Sequence, residues 1–135
     1  MQRKLFSGAI LTIMLPVWAE SGVPLLDVSK ARPLVLAALP EETLRLPGLA
    51  VVPGPVKKER CVILDVMWAN PGVGSAHVNF YTVDRRTGAI WRGVTGIRSL
   101  VSNPALRVLQ KDIRKGLGTP EDEYQKAVKE HRCGY

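Results

Sequence analysis

The 135-residue chain contains few of the imidazole and thiol side chains that catalysis and metal binding commonly use. It has two histidines and two cysteines, and aromatic residues make up 6% of the total. No Gly-x-Ser-x-Gly turn surrounds a serine, and no cluster of His, Cys, Asp or Glu has the spacing of metal ligands. The sequence therefore favours a non-enzymatic protein with no catalytic residues, no metal ion and no other cofactor.

Long apolar runs are also scarce, and the principal one lies at the N-terminus. Arg3 and Lys4 precede the apolar run Leu5–Leu15, which ends at Pro16. A membrane anchor is the alternative interpretation, but a spanning helix needs about 20 apolar residues. A basic start, an apolar middle and small residues before a cleavage point predict a secretory signal peptide over residues 1–19, cleaved after its final alanine. We therefore expect a periplasmic or secreted protein without a stable membrane anchor.

The two cysteines of an exported chain predict one disulfide bond. Cys61 and Cys133 have no other partner within the sequence. A bridge across that separation contributes about 4 kcal/mol in the loop-closure model. A catalytic or metal-binding pair is the alternative, but the two residues are far apart in the sequence and histidines are few.

Prolines are concentrated in residues 20–58, which contain six of the ten. Because each proline removes a backbone donor and pushes its predecessor away from helix, no long regular element is expected there. We interpret residues 20–58 as an N-terminal arm of short helical and extended pieces packed on the body of the protein. A partly ordered linker is the alternative.

Residues 59–135 have the pattern of an α+β core domain. β-Branched and aromatic residues predict strands over residues 61–69, 75–83 and 89–95. Asp84, whose side chain can bond the backbone ahead, and Gly88, which can adopt positive φ, predict a hairpin loop between the last two strands. The loop is then residues 85–88, and the facing pairs are Val83 with Ile90, Thr82 with Trp91, and Tyr81 with Arg92. Alternation places His77 and Asn79 on the face of Tyr81 and Val83.

Two amphipathic helices close the chain. The first begins after Asn103, with Pro104 in its first turn, and ends at glycines 116 and 118. The second begins at Pro120 and ends just before Cys133, so the disulfide would attach it to the first strand. The predicted fold class is α+β: a small antiparallel meander of three to four strands packed with C-terminal helices.

Isolated polar residues supply the remaining candidates for chemistry. His77 is typical of a polar surface row on a strand, and His131 is favoured at a helix end by the dipole. Asp65 is most simply the ion-pair partner of an arginine. A small enzyme that uses His77 and Asp65 is the alternative, and it requires both residues in one pocket.

Basic residues outnumber acidic ones by 19 to 12, a net charge of +7. Loss of Arg3 and Lys4 with the signal peptide leaves 17 basic residues against 12 acidic ones, a net charge of +5. Nucleic acid is a poor partner for an exported protein whose aromatics do not interleave with its charges. The basic second half is better interpreted as a docking face for an acidic protein or an anionic envelope polymer. Its cations are Arg85, Arg86, Arg92, Arg98, Arg107, Lys111, Arg114 and Lys115.

The stretch 78–91, with its Asp84-x-x-Thr87-Gly88 turn, resembles the hairpin of small exported PepSY-like and cystatin- or NTF2-like domains. Those folds include bacterial inhibitors and immunity proteins that block a toxin or a hydrolase. The resemblance implies a non-enzymatic binding protein whose partner is an envelope enzyme or toxin. A basic module for an anionic envelope component is the alternative. We expect the partner to contact the hairpin tip and its neighbours, together with the loop over residues 71–75. The predicted contact residues are Tyr81, Asp84, Arg85, Arg86, Thr87 and Arg92.

Overall fold

A computed structural model describes residues 22–58, 60–93 and 99–133. The signal peptide predicted over residues 1–19 lies outside these ranges. Within them, no helix has both the length and the apolar character needed to cross a membrane. The elements in chain order are α1 (Val28–Ala38), α2 (Glu41–Leu44), β1 (Ala50–Lys58), β2 (Cys61–Asn70), β3 (Gly74–Asp84), β4 (Ile90–Arg92), β5 (Ser99–Leu100), α3 (Pro104–Leu117) and α4 (Glu121–Glu130).

The strands form one antiparallel meander in the order β1-β2-β3-β4-β5. With the helices that pack on it, this confirms the α+β class, although the sheet has five strands rather than three or four. The additional strands are β1, from the proline-rich segment, and the two-residue β5. Strand β1 lies at the edge of the sheet, where prolines are tolerated because only one row of backbone groups pairs.

The proline-rich segment also contains the eleven-residue helix α1, which is longer than its prolines led us to expect. The side chain of Asp27 caps this helix by accepting a hydrogen bond from Ser29 N at 3.3 Å. The helix continues through Pro33, although an internal proline costs about 3 kcal/mol. Its inner face compensates because Leu34 and Val35 are fully buried against the sheet.

The β3–β4 hairpin has the predicted register, with Val83 facing Ile90 and Tyr81 facing Arg92. Its turn closes through hydrogen bonds from Gly88 N to Asp84 O at 2.7 Å and from Asp84 N to Ala89 O at 2.9 Å. Gly88 has φ +81°, which a residue with a Cβ rarely adopts. The local chemistry of the turn residues therefore sets this register, as predicted.

A β-bulge between β2 and β3 changes the face on which His77 lies. Val66 pairs with Asn79, but Met67 pairs with His77, so β3 has one extra residue at this point. The extra residue places His77 on the face of Asp65 and Phe80. The face predicted from simple alternation is therefore wrong for His77, because a bulge interrupts the two-residue period.

The sheet has a covered face and a half-covered face. Helices α1 and α3 pack on the first face and enclose the main core. On the second face, α4 covers only the end near the Cys61–Cys133 disulfide, where Tyr124 and Val128 contact a small cluster around Trp91. The main core consists of Leu26, Ala31, Leu34, Val35, Ala38, Leu39, Val51, Val62, Leu64, Val66, Tyr81, Val83, Ile90 and Leu106.

Both C-terminal helices begin where predicted. The side chain of Asn103 caps α3 by accepting from Leu106 N at 2.8 Å, and Gly118 ends it with φ +71°. Helix α4 follows Pro120 and has three acids in its first turn. The predicted disulfide between Cys61 and Cys133 is confirmed, and it attaches the end of α4 to the start of β2.

Candidate functional site

The turn of the β3–β4 hairpin, residues 84–88, is buried rather than protruding. Asp84 and Thr87 are 0% exposed and Arg86 is 7% exposed, because the two C-terminal helices and the segment before α1 pack over them. Whether these residues touch a partner stays a prediction. Their burial gives them a structural role in the free protein.

The Asp84 carboxylate organises the turn. Its Oδ1 accepts from Arg60 Nε at 2.8 Å and from Arg86 N at 3.0 Å. Its Oδ2 accepts from Thr87 Oγ1 at 2.7 Å and from Arg60 Nη2 at 3.2 Å. Four donors therefore satisfy a carboxylate that has no exposed surface, as a buried charge requires.

The carbonyl groups of the turn are held by side chains of the C-terminal segment. Thr119 Oγ1 donates to Arg86 O at 2.8 Å, and Gln110 Nε2 donates to Gly88 O at 2.8 Å. Between them, Arg114 Nη1 donates to the carbonyl of Thr87 at 3.0 Å. Three successive carbonyls thus have a partner in or after α3, which fixes this helix on the turn.

Two glutamates of α4 balance the buried arginines. Glu123 accepts from Arg86 at 3.2 and 3.4 Å, and Glu121 accepts from Arg114 at 2.8 Å through both oxygens. The Arg114 guanidinium also lies 4.0 Å from the centre of the Tyr124 ring. Its hydrogen bond lowers the pKa of Glu121 below the ordinary 4.5. The turn, α3 and α4 therefore form one connected network of charged groups.

The other predicted contact residues differ in accessibility. Tyr81 is buried in the main core, and this burial raises the pKa of its phenol above 10.0, an effect that the charge of Arg92 opposes. Arg85 is half-buried and donates from Nε to Leu26 O at 2.7 Å. Arg92 is exposed. Among the six predicted residues, only Arg92 has an exposed position.

The loop over residues 71–75 is exposed throughout, as a contact surface requires. Val73, at the tip of the β2–β3 hairpin, is 74% exposed. Of the β2–β3 and β3–β4 hairpins, the first therefore presents an apolar side chain to solvent at its tip, and the second does not.

Among the described residues, Asp65 pairs with a histidine rather than with the predicted arginine. Its Oδ1 lies 2.7 Å from His77 Nδ1 on the half-covered face of the sheet, and the His77 ring packs against Phe80 with 4.5 Å between ring centres. The His77 side chain is 44% exposed. A carboxylate that orients an imidazole is half of a nucleophile-activating arrangement, and no described hydroxyl or thiol is hydrogen-bonded to this imidazole.

Metal ligands do not cluster in the part of the chain that the structure describes. No group of three or more His, Cys, Asp or Glu residues there could hold an ion. A cavity of about 350 Å³ opens between helix α3 and the first turn of α1 with the segment before it. It is lined by Leu26, Lys30, Leu109, Asp112, Ile113, Gly116 and Leu117.

The eight cations predicted to form the docking face separate into two groups. Arg85, Arg86 and Arg114 are engaged inside the protein. Arg98 lies outside the described residues. The remaining cations are exposed and form no ion pair within the described ranges; besides Arg92, they are Arg107, Lys111 and Lys115, which we call the basic row.

Sequence reasoning missed the polar residues of α3 that hold the turn. Gln110 and Arg114 are buried and lie at four-residue spacing after Leu106, on the inner face of the helix. The apolar residues at helical spacing, Leu106, Leu109 and Ile113, predict a different inner face, and of these only Leu106 is fully buried. The four-residue spacing from Leu106 is the available signal, but glutamine and arginine at such positions are usually solvated.

Comparisons with family models and with curated proteins find no match. Among solved structures, the chain is similar to a chain of the type VI secretion system effector-immunity complex from Pseudomonas protegens. The TM-score is 0.52 at 18% sequence identity, and the match covers 75% of this chain and 88% of that one. At this identity the similarity shows a shared fold.

Proposed function

We propose that the protein is an exported, immunity-type binding protein that blocks an enzyme or toxin of the cell envelope. The observation that carries the proposal is the fold shared with a chain of an effector-immunity complex over three quarters of the sequence. Among the two sides of such a complex, the immunity side suits a chain with two histidines and no recognisable catalytic motif.

The stability of the scaffold supports a blocking role. The disulfide and the buried charged network fix the hairpin turn, α3 and α4 relative to one another. A preorganised surface loses little conformational entropy on binding, so more of its contact energy contributes to affinity. The disulfide also suits an oxidising compartment, which supports a periplasmic or secreted location.

The accessible residues support part of the predicted contact surface. Of the predicted contact surface, Arg92 and the loop 71–75 are exposed, and we retain both in the proposal. We assign the buried Asp84, Arg86 and Thr87 to the stability of the turn rather than to partner contact, because they cannot reach a partner without opening the helices.

A neutralisation assay tests the proposal. Exported effector candidates encoded beside this gene are each fused to a periplasmic signal peptide. Each is then expressed either alone or together with this chain. We expect the full chain to restore growth against one of them and to form a stable complex with it in pull-down. A variant without residues 1–19, which would remain in the cytoplasm, should give no protection. If the full chain neither bound nor protected against any of the neighbouring exported proteins, the result would contradict an immunity role.

The second candidate is a module that binds an anionic envelope polymer, and the exposed basic row is the observation that favours it. Polymer binding should weaken steeply as salt rises, whereas a packed protein interface should persist. A pull-down from envelope extract at low and high salt therefore separates the two functions.

A further inference from the structure

We infer that the solvent face of α3 is a docking surface for an acidic protein segment that carries an apolar residue. This inference rests on the proposed protein-binding function and names the kind of partner. The surface consists of the basic row, Arg107, Lys111 and Lys115, and the neighbouring Val108. Four-residue spacing aligns the three cations along one side of the helix, at intervals of about 6 Å.

The basic row carries more positive charge than the acids near it offset: Asp112 lies three residues before Lys115 on the helix, and no described acid forms an ion pair with any member of the row. Each member has another cation four residues away, and each such pair is repulsive in an isolated helix. The nearby Glu121 is already bound through both oxygens to Arg114, although the charge of Lys111 still contributes to its lowered pKa. Local helix stability therefore does not explain the row.

The helix dipole accounts for one of these cations at most. Lys115 lies in the last turn, where a positive charge is favoured. Arg107 and Lys111 lie earlier in the helix, outside that last turn, and the only hydrogen bond of the Arg107 side chain among the described contacts goes to the hydroxyl of Ser102 at 3.0 Å. An external acidic group is the partner that the charge of the row fits.

An exposed apolar side chain beside the row indicates a protein partner. Val108 is 62% exposed, and it lies three residues before Lys111 on the same side of the helix. Phosphate or sugar-acid polymers are bound through their charges, and an aliphatic side chain adds little to that binding. An apolar contact with charged groups around it is the common arrangement of protein interfaces. These observations favour a protein segment in which acidic residues flank an apolar one.

Peptide titration of the complete, disulfide-bonded mature chain tests this inference. The probes are a short synthetic peptide with a leucine flanked by glutamates, and the same peptide with serine in place of the leucine. Amide shifts are followed by NMR at about 150 mM salt. We expect shifts to concentrate on residues 107–115, and the leucine peptide to bind more tightly than the serine peptide. Val108→Ser should remove that preference.

Matched charge reversals provide the control. R107E/K111E/K115E should weaken binding of the leucine peptide by about tenfold or more. R45E/K126E/K129E changes the net charge equally at exposed sites away from the row and should leave binding within about twofold. Circular dichroism establishes that each variant is folded, and the milder R107Q/K111Q/K115Q serves if charge reversal unfolds the helix.

Several results would overturn the inference: no saturable shifts on α3, equal losses in both reversed variants, or no preference for the leucine peptide. Heparin, as an anionic polymer probe, should bind more weakly than the leucine peptide. Tighter binding of heparin that is unaffected by Val108→Ser would assign the surface to a polymer instead.

Peptide binding at α3 with no neutralisation of any neighbouring toxin would refute the proposed function alone. Neutralisation that is unaffected by the reversed row would refute this inference alone.

Discussion

Replacing Asp84 with asparagine removes one negative charge from the buried turn while keeping the size of the side chain. The amide oxygen can still accept from Arg60 Nε and Arg86 N. The amide nitrogen replaces Oδ2, so an N–H group then faces two donors, the Thr87 hydroxyl and Arg60 Nη2. Thr87 can rotate its hydroxyl to accept, but the guanidinium cannot accept a hydrogen bond.

The expected cost follows from these contacts. The charged hydrogen bond from Arg60 Nη2 to the carboxylate becomes a contact between two donors. The partly buried guanidinium of Arg60 also loses its counter-charge at this position. Hydrogen bonds to charged groups contribute about 1.5–3 kcal/mol, and breaking a buried pair costs about 3–5 kcal/mol. Because Arg60 keeps partial exposure and a contact with Glu123 at 3.5 Å, we place the loss near the lower limit, at about 3 kcal/mol.

Urea unfolding followed by circular dichroism measures this loss. With an m-value of about 2 kcal/mol per molar, Asp84→Asn should lower the midpoint by about 1.5 M. Asp112→Asn removes the same charge from an exposed position in α3 and should change stability by less than about 0.5 kcal/mol. A double-mutant cycle with Arg60→Met should give a coupling above about 1 kcal/mol. If Asp84→Asn were as mild as Asp112→Asn, the turn would not depend on its buried carboxylate.

Three further perturbations test other parts of the structure. Replacing Cys61 and Cys133 together with alanine should lower the free energy of unfolding by about 4 kcal/mol, since the bridge closes a 72-residue separation; equal urea midpoints with and without it would contradict this. The lowered pKa of Glu121 gives a stabilisation that is complete above its ordinary 4.5 and is lost as the pH falls through the lower folded-state value. The urea midpoint should therefore fall less between neutral pH and about pH 3 for Glu121→Gln than for the native chain. An equal fall in both proteins would refute this linkage. Gly88→Ala should cost about 1–2 kcal/mol because its φ is +81°, whereas Gly116→Ala, in a helix with open space around it, should stabilise by up to about 1 kcal/mol. Thermal melts that fail to separate these two glycine variants would count against the assigned backbone conformations.

The elements that could be predicted from the sequence are those whose determinants lie within a few residues. The β3–β4 register follows from Asp84 and Gly88, and the start of α3 follows from Asn103 and Pro104. Helix α1 was less predictable because the burial of its inner face outweighs the local effect of Pro33. Local rules rank conformations correctly only where tertiary packing does not oppose them.

The candidate site depended more strongly on packing. The sequence predicted an exposed tip at the β3–β4 turn, because turns with charged residues are usually solvated. The structure buries that turn. Side chains in or after α3, Gln110, Arg114 and Thr119, satisfy its carbonyl groups, and Glu123 of α4 pairs with its Arg86. Burial of a polar turn requires partners distant in the sequence, and their convergence on one point is a property of the fold.

The sequence by itself determined the α+β class, the disulfide and the hairpin register of this protein, through short-range turn chemistry, hydrophobic periodicity and the presence of only two cysteines. The tertiary structure alone decided which charges are internal and which face solvent. It also decided, through a single bulge, that His77 lies beside Asp65. The physical reason is that a charged side chain can be buried only where the fold places a counter-charge beside it and otherwise stays in water. Its neighbours in the sequence do not decide between these two environments.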